Sequence, residues 1–212
     1  MEIFDEIAAE RLLTADFLAT LDAEQTATES LCQGWTVHDV GAHLLMPLIT
    51  PTPKVILAMV GHGFNWDGAN KSLTKGVAAL STADIATGLR KHADGRFTPP
   101  GAGPEAPLTD LLIHGQDMRR PLGITREIPP PRLRVALDYL TSGKARGVVP
   151  ADRLADLSFA ADDLDWAAGE GPAVTGTGEA LLLAIAGRPA ALSDLSGEGF
   201  EEFAARILPI EH

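Results

Sequence analysis

The chain has 212 residues, 45% of them apolar, with a formal net charge of -12, which excludes a disordered or fibrous protein and suits one large domain or two modest ones. The acidic balance argues against nonspecific nucleic-acid or anionic-membrane binding, both of which need a basic surface, so neither partner is expected. A lone cysteine, Cys32, rules out an intramolecular disulfide framework, and with an acidic N-terminus, Met1-Glu2-Ile3-Phe4-Asp5-Glu6, and no apolar run of bilayer length, the chain reads as cytoplasmic.

The first half is written in helical period. Phe4, Ile7, Ala8, Leu12, Ala15 and Leu18 fall on one broad arc, predicting a first helix that ends before the polar run Glu24 to Ser30. In Gly34-Trp35-Thr36-Val37-His38-Asp39, Thr36 is a natural N-cap and Asp39 the capping-box acid three residues on. The helix they open buries Val37, Val40, Leu44 and Leu48, with His43 at the edge of that stripe and His38 facing solvent. Pro51 and Pro53 break the pattern, and a third helix runs from about Lys54 into a softer Gly- and Asn-rich continuation from Gly61 to Asn70. A fourth spans Thr82 to His92, and the tract Thr98-Pro99-Pro100-Gly101-Ala102-Gly103-Pro104 is a loop. Asp110 to Arg120 forms the next helix, closed by Pro121 and Gly123. Pro129-Pro130-Pro131 then introduces another, with Val135, Ala136 and Tyr139 inward. Helices joined by medium loops indicate a bundle.

From Ser142 the composition shifts, and Gly143-Lys144-Ala145-Arg146-Gly147 reads as a linker or surface turn. Residues 157–166 and 173–176 read as short strands around a Gly-rich turn, followed by an apolar helix from Glu179 to Ala186 ended by Gly187, and a last helix from Phe200 to Leu208. The expected organisation is a helical bundle carrying a metal site over 1–145 and a small α+β module over 150–212.

The chemistry concentrates in Asp110-Leu111-Leu112-Ile113-His114-Gly115-Gln116-Asp117-Met118. Asp110, His114 and Asp117 sit at i, i+4 and i+7, on one helix face flanked by Ile113, Leu111 and Met118. Ionisable groups there are costly to bury unless paired, hydrogen-bonded or metal-bound. In an antiparallel bundle His43 can meet Asp110 and His114, and three protein ligands with one open position are what a catalytic divalent metal needs. The competing reading makes each histidine a satisfied core residue. Asp117 has two readings, orienting a ligand histidine from behind or pairing on the surface with Arg120. Cys32 reads as a buried, inert thiol. Arg188 either complements the dipole at the end of the apolar helix or holds an anionic substrate.

Three segments together resemble the mycothiol-dependent maleylpyruvate isomerase-like proteins of the DinB-like superfamily of helical-bundle metalloproteins. They are Cys32-Gln33-Gly34-Trp35-Thr36-Val37-His38-Asp39-Val40-Gly41-Ala42-His43-Leu44, then Asp110-Leu111-Leu112-Ile113-His114-Gly115-Gln116-Asp117, and Gly178 to Arg188 with Leu195-Ser196-Gly197. The resemblance implies a DinB-like four-helix bundle followed by an α+β tail. It implies a divalent metal, usually zinc, on His43, Asp110 and His114, with aspartate where the characterised isomerase has glutamate. It implies mycothiol as thiol cosubstrate, and a part for Arg188 in the activity.

The reading is a metal-dependent thiol transferase or isomerase, in which a metal-activated thiolate attacks a small electrophilic substrate. The alternatives are a non-catalytic metal-binding or ligand-sensing module, and a metal-dependent hydrolase using water in place of thiol.

Overall fold

The computed structural model describes residues 2–145 and 147–208, so Arg146 of the expected turn at 143–147, and the end of the tail, lie outside the described residues. The protein is helix-rich with a small mixed sheet near its C-terminus, as expected. It divides into two compact units, Met1–Phe97 with Asp117–Thr125, and Thr98–Gln116 with Arg126–His212. That division is not the compositional shift at Ser142: it runs through a helix.

In the first unit, α1 (Ile3–Thr20) places Asp5 and Glu6 in its first turn, where carboxylates complement the helix dipole. Its buried side is Ile7, Glu10, Arg11, Thr14, Ala15, Phe17 and Leu18, whereas Leu12 is 43% exposed, contrary to the expected arc. Leu12 lies five residues beyond Ile7, about 140° round the helix, so a face centred on Ile7, Thr14 and Leu18 excludes it. Arg11 on that face is hydrogen-bonded: its Nη1 donates to the carbonyl of Ala93 at 2.8 Å, and to that of Gly95. Burial pulls the Arg11 pKa down to about 10, against the opposing attraction of Asp94.

After α2 (Ala23–Ala27), the helix α3 (Val37–Ile49) opens on the capping box seen in the sequence: Thr36 Oγ1 accepts from the Asp39 N–H at 3.2 Å, and Asp39 Oδ2 accepts from the Thr36 N–H at 2.9 Å. α4 (Thr52–Gly61) and α5 (Trp66–Val77) are separate helices rather than one softening segment. Gly63 and Phe64 have φ of 59° and 63°, which no helix continues through, and Asn65 caps the new start by accepting from Gly68 N–H. α6 (Thr82–Lys91) buries Ile85, Ala86 and Leu89. α1 packs on α6, and α3 packs on α5 and α6. Gly41 permits a close approach of α1, because a Cβ there would meet a Leu18 methyl at 3.0 Å. His38 is not solvent-facing: Nδ1 lies 2.8 Å from Thr82 Oγ1 and Nε2 lies 3.0 Å from the Ala78 carbonyl. The carbonyl can only accept, so Nε2 carries a proton, and the ring ties α3 to the end of α5 and the start of α6.

In the second unit, α7 (Glu105–Arg119) starts five residues earlier than expected, since Pro107 falls in its first turn, where a missing N–H costs nothing, and the helix runs on into the first unit. α8 (Pro130–Thr141) buries Leu133, Ala136, Leu137 and Leu140, with Val135 and Tyr139 only half-buried. The sheet comprises β1 (Ser158–Ala161), β2 (Ala167–Gly169), β3 (Ala173–Gly176) and β4 (Leu195–Ser196), in the order β2-β1-β3-β4. β1 runs parallel to β3, with Phe159 opposite Val174, and the outer pairs are antiparallel. α9 (Gly178–Ile185) is capped by Thr177 and buries Leu181, Leu182, Leu183 and Ile185 completely, each worth on the order of 2 kcal/mol. It packs on α8, while Phe159 of β1 meets Phe203 of α10 (Phe200–Ile207) edge-on at 5.0 Å. Among the described residues no single helix is long and apolar enough to cross a membrane.

Candidate metal centre

α7 carries the ionisable triplet as its spacing predicts. Leu111, Leu112, Ile113 and Met118 are buried around it, so the face is apolar. His114 Nε2 lies 3.3 Å from Asp110 Oδ1, the histidine side chain being 12% exposed and the aspartate 45%. The pair therefore has one member in the protein and one reached by solvent.

Asp117 is fully buried. Its Oδ2 accepts from the Cys32 thiol at 3.0 Å, and its carbonyl accepts from Leu31 N–H at 3.0 Å. The Cys32 side chain is thus half-buried and hydrogen-bonded, not an inert core thiol. It sits in a loop closed by the Glu29–Thr36 bridge and by Ser30 N–H donating to the Trp35 carbonyl at 2.9 Å. Gly34, at φ 76°, makes the reversal. From the same loop, the Trp35 ring stands 5.2 Å from that of His43, tilted at 55°. His43 is half-buried on α3, as its place at the edge of the stripe predicted.

Two groups of side chains offer metal-ligand atoms lying within 4.8 Å of one another: His43, Asp110 and His114, and Cys32, His114 and Asp117. The donor set of the first fits a divalent ion. Two neutral imidazoles and one carboxylate leave a net positive charge on the ion, and the two histidines with one acid match three-ligand catalytic zinc centres.

Two further residues bear on the chemistry. Tyr139, on α8, has its phenol pKa raised, first by burial and then by the negative charges of Glu105 and Asp110. It stays protonated at neutral pH. Arg188 follows Gly187, whose φ of 85° and N–H to the Ala184 carbonyl end α9, and its Nη1 donates to the Ala186 carbonyl at 2.8 Å. Arg153, which sequence reasoning passed over, braces the same helix end, its Nη1 donating to the Ile185 carbonyl at 3.1 Å. No local motif announces that partnership.

Histidines and carboxylates grouped on the helices of an α-rich chain with a small sheet define the class: a helical protein whose side chains could hold a metal ion. Residues 7–48 match the family described as mycothiol maleylpyruvate isomerase N-terminal domain. The crystal structure of the mycothiol-dependent maleylpyruvate isomerase superposes with a TM-score of 0.55 at 17% identity, covering 93% of this chain and 96% of that one. A histidine-to-alanine mutant of that enzyme gives the same TM-score at 16% identity. No curated protein matches the chain. The family likeness rests on residues 7–48, and the likeness to the solved structures is one of fold.

Proposed function

We propose that this protein is a metal-dependent enzyme that uses a small thiol, mycothiol by likeness to that family, to isomerise a small electrophile or to transfer the thiol's sulfur onto it. The observation that carries the reading is the grouping of His43, Asp110 and His114. These residues would hold a divalent metal, zinc by the chemistry of the donor set, with Asp117 orienting His114 from behind. A bound divalent ion lowers the pKa of a coordinating thiol, so that thiolate is present at neutral pH.

The chain's own groups then have defined work. His43 and His114 donate neutral imidazole nitrogens, and Asp110 supplies one negative charge. The resulting positive balance favours an anionic sulfur over a neutral donor at the open position. Trp35 stands against the His43 ring at 5.2 Å. Tyr139 keeps its Oη proton near Asp110, a hydrogen-bond donor for developing negative charge. Arg188 would hold a carboxylate of thiol or substrate through its guanidinium. Addition of thiolate to an electrophilic carbon, rotation and expulsion of the same thiolate give isomerisation with no net consumption of thiol. Retention of the sulfur gives S-transfer.

The test is metal content of the purified protein, followed by turnover of maleylpyruvate and related α,β-unsaturated acids with and without mycothiol. Bound metal and strictly thiol-dependent turnover are expected. Turnover with water alone would establish the hydrolase reading. Bound metal with no thiol binding would favour a non-catalytic module.

A further inference from the structure

We propose that Cys32 is a positioning residue of the metal centre, its thiol setting the Asp117 carboxylate that orients His114. The inference rests on the metal reading above and adds to it a residue that reading does not use.

A fully buried carboxylate must be surrounded by donors. For Asp117 the structure supplies the thiol of Cys32 on Oδ2, at 3.0 Å. A thiol is a weak donor, and little stability follows from that bond. What it provides is direction. With Oδ2 held by the thiol, the carboxylate's remaining acceptor sites are turned elsewhere, and His114 is three residues back on the same helix. Nε2 of His114 faces Asp110 at 3.3 Å, so an orienting carboxylate would act on the other ring nitrogen, Nδ1. Metal-ligating histidines ordinarily donate that second N–H to such a group, which fixes both tautomer and ring plane. The offered atoms of Cys32, His114 and Asp117 all lie within 4.8 Å of one another, so thiol, carboxylate and imidazole form one cluster.

Leu31 N–H is bonded to the Asp117 carbonyl at 3.0 Å and Cys32 N–H to Ser30 Oγ at 3.1 Å, so the backbone on both sides of the sulfur is tied down. The same loop presses Trp35 on His43. One short segment therefore sets the surroundings of both histidines.

Cys32→Ala and Cys32→Ser in the full chain test this. Zinc affinity is measured by competition with a chromophoric chelator, and ligand geometry by the absorption of the cobalt(II) form. Cys32→Ala should bind zinc about 10-fold more weakly and alter the cobalt d–d bands, the usual effect of losing an orienting partner. Cys32→Ser, whose hydroxyl still donates to Asp117, should restore affinity and spectrum. Unchanged affinity in Cys32→Ala, or a serine variant as weak as the alanine one, overturns the proposal. So does a thiolate-to-cobalt charge-transfer band that Cys32→Ser abolishes, which would make Cys32 a ligand. A wild type that binds neither ion overturns the metal reading itself, whereas tight wild-type binding with an unaffected alanine variant overturns only this inference.

Discussion

Replacing His43 by alanine separates metal binding from folding. Structural zinc sites with four protein ligands bind with about 10–16 kcal/mol, so one ligand is worth about 3 kcal/mol, and losing it should weaken binding on the order of 100-fold. The cost to the fold is small by comparison. The His43 ring is half-buried and its aromatic neighbour is Trp35 at 5.2 Å, a pair worth about 1 kcal/mol. Alanine returns about 0.5 kcal/mol of helix propensity. Val40, Leu44 and Leu45, which anchor α3 in the core, are untouched. The net change is under about 1 kcal/mol, a fall in Tm of no more than about 2–4 °C. Chelator competition gives the affinity, and thermal unfolding of the metal-free protein followed by circular dichroism gives the stability. An affinity within threefold of wild type would refute the ligand assignment. A large fall in Tm with affinity retained would make His43 a core residue.

Asp110→Asn should reduce metal affinity more than Asp117→Asn, because Asp110 is assigned to the ion and Asp117 to His114; the reverse order in chelator competition would exchange their roles. Arg188→Ala should leave metal content and secondary structure intact while raising the Kd for mycothiol, measured by calorimetry, and an unchanged Kd would leave Arg188 as a brace on the Ala186 carbonyl. The chain has one tyrosine, so ultraviolet titration reads Tyr139 alone: its ionisation should lie above pH 10, and Asp110→Asn should move it back down. Because the folded pKa is raised, Tyr139 contributes stability that is intact below pH 10 and declines as pH climbs through the folded value, which denaturant titrations at pH 9 and pH 11 will show.

Local chemistry was legible where one residue's neighbours in sequence are also its partners in space. Thr36 and Asp39 form the capping box that their spacing specifies, and Asp110 and His114 meet across one turn of α7. The fold class followed from periodicity, helped by family resemblance. Long-range partners were not legible. His38 looked solvent-facing because nothing in its own helix reveals Thr82 and Ala78, and Cys32 looked inert because Asp117 is 85 residues away. Glu10, Arg11 and Thr14 are buried where a hydrophobic pattern selects Leu12, since backbone carbonyls of a distant turn satisfy Arg11 and no propensity encodes that. α5 was blurred by its glycines and polar residues, although Leu73 and Val77 fall a turn apart on its buried side. β2, Ala167–Gly169, has no strand-forming residue and exists because β1 lies beside it.

The central claim is that His43, Asp110 and His114 hold one divalent ion, and anomalous scattering at the zinc edge from crystals of the zinc-loaded protein tests it most directly. A single peak about 2 Å from a nitrogen of each histidine and an oxygen of Asp110 is the predicted result. No peak there, or a peak bonded instead to the sulfur of Cys32, would contradict it.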